Sequence, residues 1–211
     1  MKNASNKTIW IILPIVFFFL FSCDVKDAAF YVRRGHDYFK KGQYDQAISD
    51  FTKALEINPR YAMAYNNRGS AYKEKGQYDQ AISDYSKALE INPRLAEVYN
   101  NRGGAYGNKG QYDQAISDFT KALEINPKFA TAYNNRGIAY GKKGQHDNAI
   151  SNFNKAIEMD PKYANAYNNR GRAYYFKKEY DKSWEDVKKA QNLGYQIHPK
   201  FLEDLRNASG R

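Results

Sequence analysis

The chain has 211 residues, 33 Lys and Arg against 23 Asp and Glu, and one cysteine, Cys23. A single cysteine excludes an internal disulfide framework and any zinc site built from several cysteines, and 19 Tyr with 12 Phe exceed the aromatic content of a disordered chain. Lys2 and Lys7 are the only charges before Asp24, so the remainder holds 31 basic and 23 acidic side chains, a net +8.

The first element in chain order is a basic stretch followed by Thr8 to Ser22, TIWIILPIVFFFLFS, which is uncharged and almost wholly apolar. Charge followed by an apolar run is the order of an export signal. Interrupted by Pro14, the run falls short of the roughly 20 residues that span a bilayer as a relaxed helix, so residues 1–22 are expected to be removed. The run ends Leu20-Phe21-Ser22-Cys23, with a small residue directly before the cysteine. This resembles the lipobox of bacterial lipoproteins, and the resemblance implies cleavage before Cys23 and a diacylglyceryl thioether on it. Phe21 departs from the family, which favours a small or short branched residue there. The alternative is an uncleaved anchor in which Cys23 is an incidental interfacial thiol. Either way the remainder is expected to be exported and held at a bacterial membrane, two or more acyl chains making the attachment stable. By the sorting rule of enteric bacteria, Asp24 after the cysteine resembles a signal for inner-membrane retention.

After a short linker, 23–27, the chain repeats. Gly35, Gly69, Gly103, Gly137 and Gly171 lie 34 residues apart, as do Pro59, Pro93, Pro127 and Pro161. Ala47, Ala81, Ala115 and Ala149 recur between them, then Phe51, Tyr85, Phe119 and Phe153, then Ala54, Ala88, Ala122 and Ala156. Five units fit, 28–61, 62–95, 96–129, 130–163 and a divergent 164–197. In the second, Tyr65, Gly69 and Tyr72 share one helical face, and Gly76 suits a left-handed cap. Ala81, Ile82, Tyr85, Ala88 and Leu89 then mark a second amphipathic helix from Tyr78 to Ile91, which Asn92-Pro93 ends. Gly69 is expected against Ala81 and Ala88, with large aromatics beside them. Such a hairpin cannot bury its apolar face alone and must stack on neighbours.

The period and the residue pattern resemble the tetratricopeptide repeat. The resemblance implies an all-α, right-handed α-solenoid of about five helix hairpins. In the fifth unit Lys178 replaces the turn glycine, Ser183 the core alanine and Tyr195 the proline. Residues 198–211 are read as a capping helix and tail, with Phe201, Leu202 and Leu205 on the apolar side. The capped end points to a monomer.

Units after the first carry Tyr-Asn-Asn-Arg-Gly. The family resemblance places the first helices along a concave groove and implies peptide-binding positions at Asn66, Asn100, Asn134, Asn168, Lys73, Lys142 and Arg172, where an amide can both donate to and accept from a peptide backbone. The alternative is that these asparagines are surface residues without a ligand. Arg34, Arg68, Arg102, Arg136 and Arg170 each precede Asp50, Asp84, Asp118, Asn152 or Asp186 by sixteen residues, which predicts an ion pair across each hairpin. Asn152 is expected to leave Arg136 without its partner. A clamp for a carboxylate-ended peptide, as in chaperone-binding members, is disfavoured because asparagines stand where its cations belong.

Nothing marks a catalyst. His36, His146 and His198 lie in different units with no second histidine at i+4 to share a metal, and no phosphate loop is present. Lys53 with Glu56, and Lys87 with Glu90, read as solvated pairs. No cofactor, metal or nucleic acid is expected. The leading reading is a non-catalytic scaffold or adaptor holding a peptide or helix of a protein partner in the cell envelope. It resembles pilotins and adaptors of cell-wall hydrolases. The alternative is a basic surface binder of anionic lipid or cell-wall polymer.

Overall fold

The structure is a computed structural model that describes residues 27–211. The expected signal segment and lipid attachment at Cys23, and Asp24, lie outside the described residues. The described chain is all helical: α1 (Ala28–Lys40), α2 (Tyr44–Ile57), α3 (Ala62–Glu74), α4 (Tyr78–Ile91), α5 (Ala96–Asn108), α6 (Tyr112–Ile125), α7 (Ala130–Lys142), α8 (His146–Met159), α9 (Ala164–Phe176), α10 (Tyr180–Asn192) and α11 (Pro199–Ser209). Consecutive helices pair as five hairpins, each packed on the next, and α11 covers the last.

Turn chemistry sets each hairpin. Gly42 at φ 72° lets its own N–H reach the Phe39 carbonyl and the Gln43 N–H reach the Tyr38 carbonyl, closing the last carbonyls of α1. The same turn recurs at Gly76, Gly110 and Gly144, and Lys178 adopts it at φ 61° without the freedom of glycine. Between hairpins, Asn58, Asn92, Asn126 and Asp160 are extended ahead of proline, and each side chain accepts from the backbone N–H two residues on.

Hairpin helices approach closely because glycine faces an aromatic ring. A Cβ at Gly69 would stand 2.9 Å from Tyr85 Cε1 and 3.2 Å from the Ala81 carbonyl oxygen, so the ring, rather than Ala88, meets the glycine. Gly35, Gly103 and Gly137 meet Phe51, Phe119 and Phe153 in the same way. In the fifth hairpin Val187 is smaller, and the buried Ser183 hydroxyl, in alanine's place, donates to the Gly171 carbonyl at 2.8 Å.

First helices of adjacent hairpins touch one another as well as their partners, whereas second helices reach chiefly the neighbouring first helix. The stack therefore curves with α1, α3, α5, α7 and α9 on the inside. Three bonding patterns recur along it. Arg68 donates to both oxygens of Asp84 (2.7 and 2.8 Å) and reaches back to Thr52 of the preceding hairpin (3.0 Å); Arg102 and Arg170 repeat this with Asp118 and Asp186, while Arg34, in the first hairpin, holds only Asp50 by hydrogen bonds among the described residues. Hydrogen bonds donated to Asp84 and Asp118 hold the Arg68 and Arg102 guanidinium groups above their ordinary range against the opposing effect of burial. Arg136 is not orphaned: its Nε donates to Asn152 Oδ1 at 2.7 Å and Nη1 to Thr120 at 3.0 Å. The amide keeps one acceptor where the carboxylate offers two. In the second pattern the turn residues Lys75, Lys109, Lys143 and Lys177 pair with Asp45, Asp79, Asp113 and Asp147 of the preceding hairpin, and Arg211 does so with Asp181. Lys87 pairs with Glu90 as expected, but Lys53 instead sits over the Tyr31 ring, at 5.8 Å from its centre.

Candidate functional site

The third pattern lies on the inner face and concerns the asparagines. Asn66, Asn134 and Asn168 are buried and Asn100 is half-buried. Asn66 Oδ1 accepts from Asn101 Nδ2 at 3.1 Å, Asn100 from Asn135 at 3.0 Å, and Asn134 from Asn169 at 2.9 Å. Asn134 and Asn168 donate to their own neighbours Asn135 and Asn169, both at 3.4 Å. A run of amides thus passes from Asn168 through Asn169, Asn134 and Asn135 to Asn100, stitching three first helices together with each member polarising the next. These side chains satisfy one another inside the fold, whatever else they touch.

Two open recesses adjoin this run. One, of 320 Å³, is floored by Gly104 and Gly107 of α5 and walled by Asn135, Ile138 and Lys142 of α7, with Lys73 of α3 at its rim. The second, of 470 Å³, shares Ile138 and Lys142 and is completed by His146, Asn169, Arg172 and Phe176. The two adjoin at Ile138 and Lys142, which line both, and together make up the trough. Of the expected groove residues, Lys73, Lys142 and Arg172 border it, and Asn168 instead faces a recess beside Tyr195 and His198. Asn66, Asn100 and Asn134 border neither half of the trough.

Its chemistry is apolar in the middle and basic at the edge. Ile138 and Phe176 are 39% and 59% exposed, unusual for side chains of their size on a polar helix face. The His146 ring stacks on Phe176 with centroids 5.1 Å apart and planes 9° from parallel, and its buried Nδ1 has no hydrogen-bond partner among the described residues. Arg172 lies over the Phe201 ring of α11 at 4.9 Å, which fixes the guanidinium at the end of the trough. Lys142 makes no ion pair among the described residues. Lys73 approaches Glu74 at 3.5 Å. No carboxylate lines either half.

Ile138, Phe176 and the second asparagines were not among the groove residues read from the sequence, and His146 was read only as a lone histidine without a metal partner. Ile138 and Phe176 were nevertheless legible: at their places in the 34-residue register, other units carry Ser70, Gly104 and Arg172, or Glu74, Asn108 and Lys142. An apolar side chain there interrupts a polar row.

Comparison with known proteins agrees with this architecture. The TPR repeat family matches residues 35–76 and 69–110, and tetratricopeptide repeat families match 96–129, 130–163 and 152–185. No curated protein sequence matches the chain. Among solved structures, MamA is similar at 29% identity and a TM-score of 0.69, covering 76% of this chain and 94% of that one. PilW, described as a widely conserved type IV pilus biogenesis factor, is similar at 23% identity and a TM-score of 0.79, covering 87% and 86%. YrrB, described as a TPR protein with an unusual peptide-binding site, is similar at 24% identity and 0.68, covering 92% and 98%. With its 34-residue hairpins, its glycine-on-ring packing and these matches along most of the stack, the chain belongs to the tetratricopeptide repeat family.

Proposed function

We propose that this protein is a membrane-tethered, non-catalytic scaffold that holds a segment of a partner protein in its concave groove. The observation that carries the reading is the trough across α5, α7 and α9, where Ile138 and Phe176 remain exposed between polar neighbours. Exposed large side chains in a groove offer what a partner's anchor residue would cover. The family supports the reading, since its repeats serve protein–protein interaction, and so does the peptide-binding site named for YrrB. The tether is the acylated Cys23 expected from the lipobox-like run.

Two measurements test the halves separately. Pull-down from detergent-solubilised envelope with the intact protein and with an Ile138→Asp/Phe176→Ala variant should retain a partner with the first and lose it with the second; the same proteins with both would move the site elsewhere. A Cys23→Ser variant should lose incorporated fatty acid and leave the membrane fraction, and unchanged labelling would remove the lipoprotein reading.

A second reading has one observation behind it. Arg60, Arg94, Lys128 and Lys162 recur on the loops between hairpins, exposed and outside every ion pair among the described residues. They would suit anionic lipid or cell-wall polymer, and that binding would fall steeply with ionic strength, whereas a seated peptide would persist.

A further inference from the structure

Helix-interior glycines normally answer to a left-handed φ or to a close neighbour. Gly103 has such a neighbour in Phe119. Gly104, Gly107 and Gly141 have neither: their φ angles are ordinary, a Cβ at Gly104 would meet nothing within 4 Å, and at Gly107 and Gly141 it would only touch the alanine methyls of Ala115 and Ala149 at 4.0 and 3.9 Å. Alanine would fit all of these positions and favour the helix. What alanine would take away is depth, because these glycines border the trough that leads to Ile138 and Phe176.

The sides of that trough are as one-sided in charge as its floor is bare. Lys73, Lys142 and Arg172 stand along it, and no carboxylate does. The turn cations next in sequence are neutralised in pairs such as Lys75–Asp45 and Lys143–Asp113, whereas Lys142 is in no ion pair among the described residues. The Asn168-to-Asn100 run leaves the half-buried Asn135 and Asn169 beside the floor, where amides can meet a backbone.

We propose that the trough takes an internal acidic segment of a partner protein: its main chain passes over Gly104, Gly107 and Gly141, one aliphatic or aromatic anchor covers Ile138 and the His146–Phe176 stack, and flanking carboxylates meet Lys73, Lys142 and Arg172. This rests on the groove reading above and adds the chemistry of the occupant. The segment is taken as internal because the three cations stand on three different helices, α3, α7 and α9, and follow the trough from one half into the other.

The test uses the full chain in detergent micelles and a fluorescently labelled peptide, amidated at its C-terminus, with a central phenylalanine flanked by glutamates. Binding read by fluorescence anisotropy should weaken about tenfold when the glutamates become glutamines, when the phenylalanine becomes alanine, or when the protein carries Lys142→Glu, the size of one lost charge-assisted or anchor contact. Gly104→Leu should abolish binding with no fall in Tm, since the new side chain enters open space. Equal binding of the glutamine peptide, or of a lysine-flanked peptide, would overturn the acidic class. Binding that requires a free terminal carboxylate would overturn the internal placement, and full binding by Gly104→Leu would overturn the path over the glycines. If none of these peptides bound, the proposal would fall, while the envelope pull-down would still decide whether the groove captures a partner of other chemistry.

Discussion

Gly103 and Gly104 are neighbours on α5 with opposite surroundings. A methyl at Gly103 would stand 2.8 Å from Phe119 Cε1 and 3.2 Å from the Ala115 carbonyl oxygen, whereas one at Gly104 meets open space. Gly103→Ala should therefore cost about 1–3 kcal/mol through overpacking, and Gly104→Ala should gain up to about 1 kcal/mol through helix propensity. Urea unfolding of the two variants checks the signs, and equal effects would contradict the register. Tyr85 offers a second test. Burial pushes its phenol from 10.0 up to about 12, partly offset by the Ser70 hydrogen bond. The fold favours the neutral phenol, so this contribution to stability is complete below pH 10 and is lost as pH rises toward 12. Tyr85→Phe, the residue of the first, third and fourth hairpins, should leave neutral-pH stability within about 1 kcal/mol, the worth of one hydrogen bond, and flatten the alkaline loss in denaturant midpoints. At this scale the pairing of Arg68 with Asp84 was legible, because sixteen residues span one hairpin. The partner of Asn66 was not: Asn101 lies 35 residues on, across a unit boundary, and only the curvature of the stack brings the two amides together.

Each helix follows from its local sequence. The second helices start just after a glycine or Lys178 turn and stop before Asn-Pro or Asp-Pro in the first four hairpins, which is why Tyr78–Ile91 was readable to the residue. The capping helix, expected within 198–211, runs from Pro199 to Ser209 before Gly210 turns left-handed at φ 69°. No large apolar residue marks that last turn; Trp184 Nε1 reaches the Ser209 hydroxyl at 3.1 Å instead. Phe201 and Leu205 of this helix close over Val187, Ala190 and Ile197, so it completes the fifth hairpin's core. Lys178 is the element-scale exception. Its φ of 61° stands where the other turns have glycine, a conformation that costs an L-residue roughly 1–2 kcal/mol. Lys178→Gly should raise stability by about 1 kcal/mol, net of the entropy that glycine adds to the unfolded chain, and a lower Tm would mean that the lysine side chain contributes something the backbone does not reveal.

At the scale of the molecule, stability is carried between neighbours. Each hairpin is tied to the one before it by a turn cation on an aspartate, by an arginine reaching a hydroxyl or amide, and, from α3 onward, by the asparagine contacts. These ties engage the asparagines that the family resemblance assigns to a ligand. What remains open on the inner face is narrower than the repeat pattern suggests: a glycine-floored trough with two exposed apolar side chains and three cations, confined to α3 through α9. The repeat period identifies the inner face, and the departures from it, Ile138 and Phe176 above all, mark where the proposed site lies.

The most direct test is site-specific photo-crosslinking in cells, with a benzophenone amino acid placed at Ile138 in the trough or at Ser151, exposed on the second helix of the same hairpin. A discrete partner adduct from position 138 and none from position 151 is the predicted result. Adducts from position 151 alone would place recognition outside the groove and contradict the account.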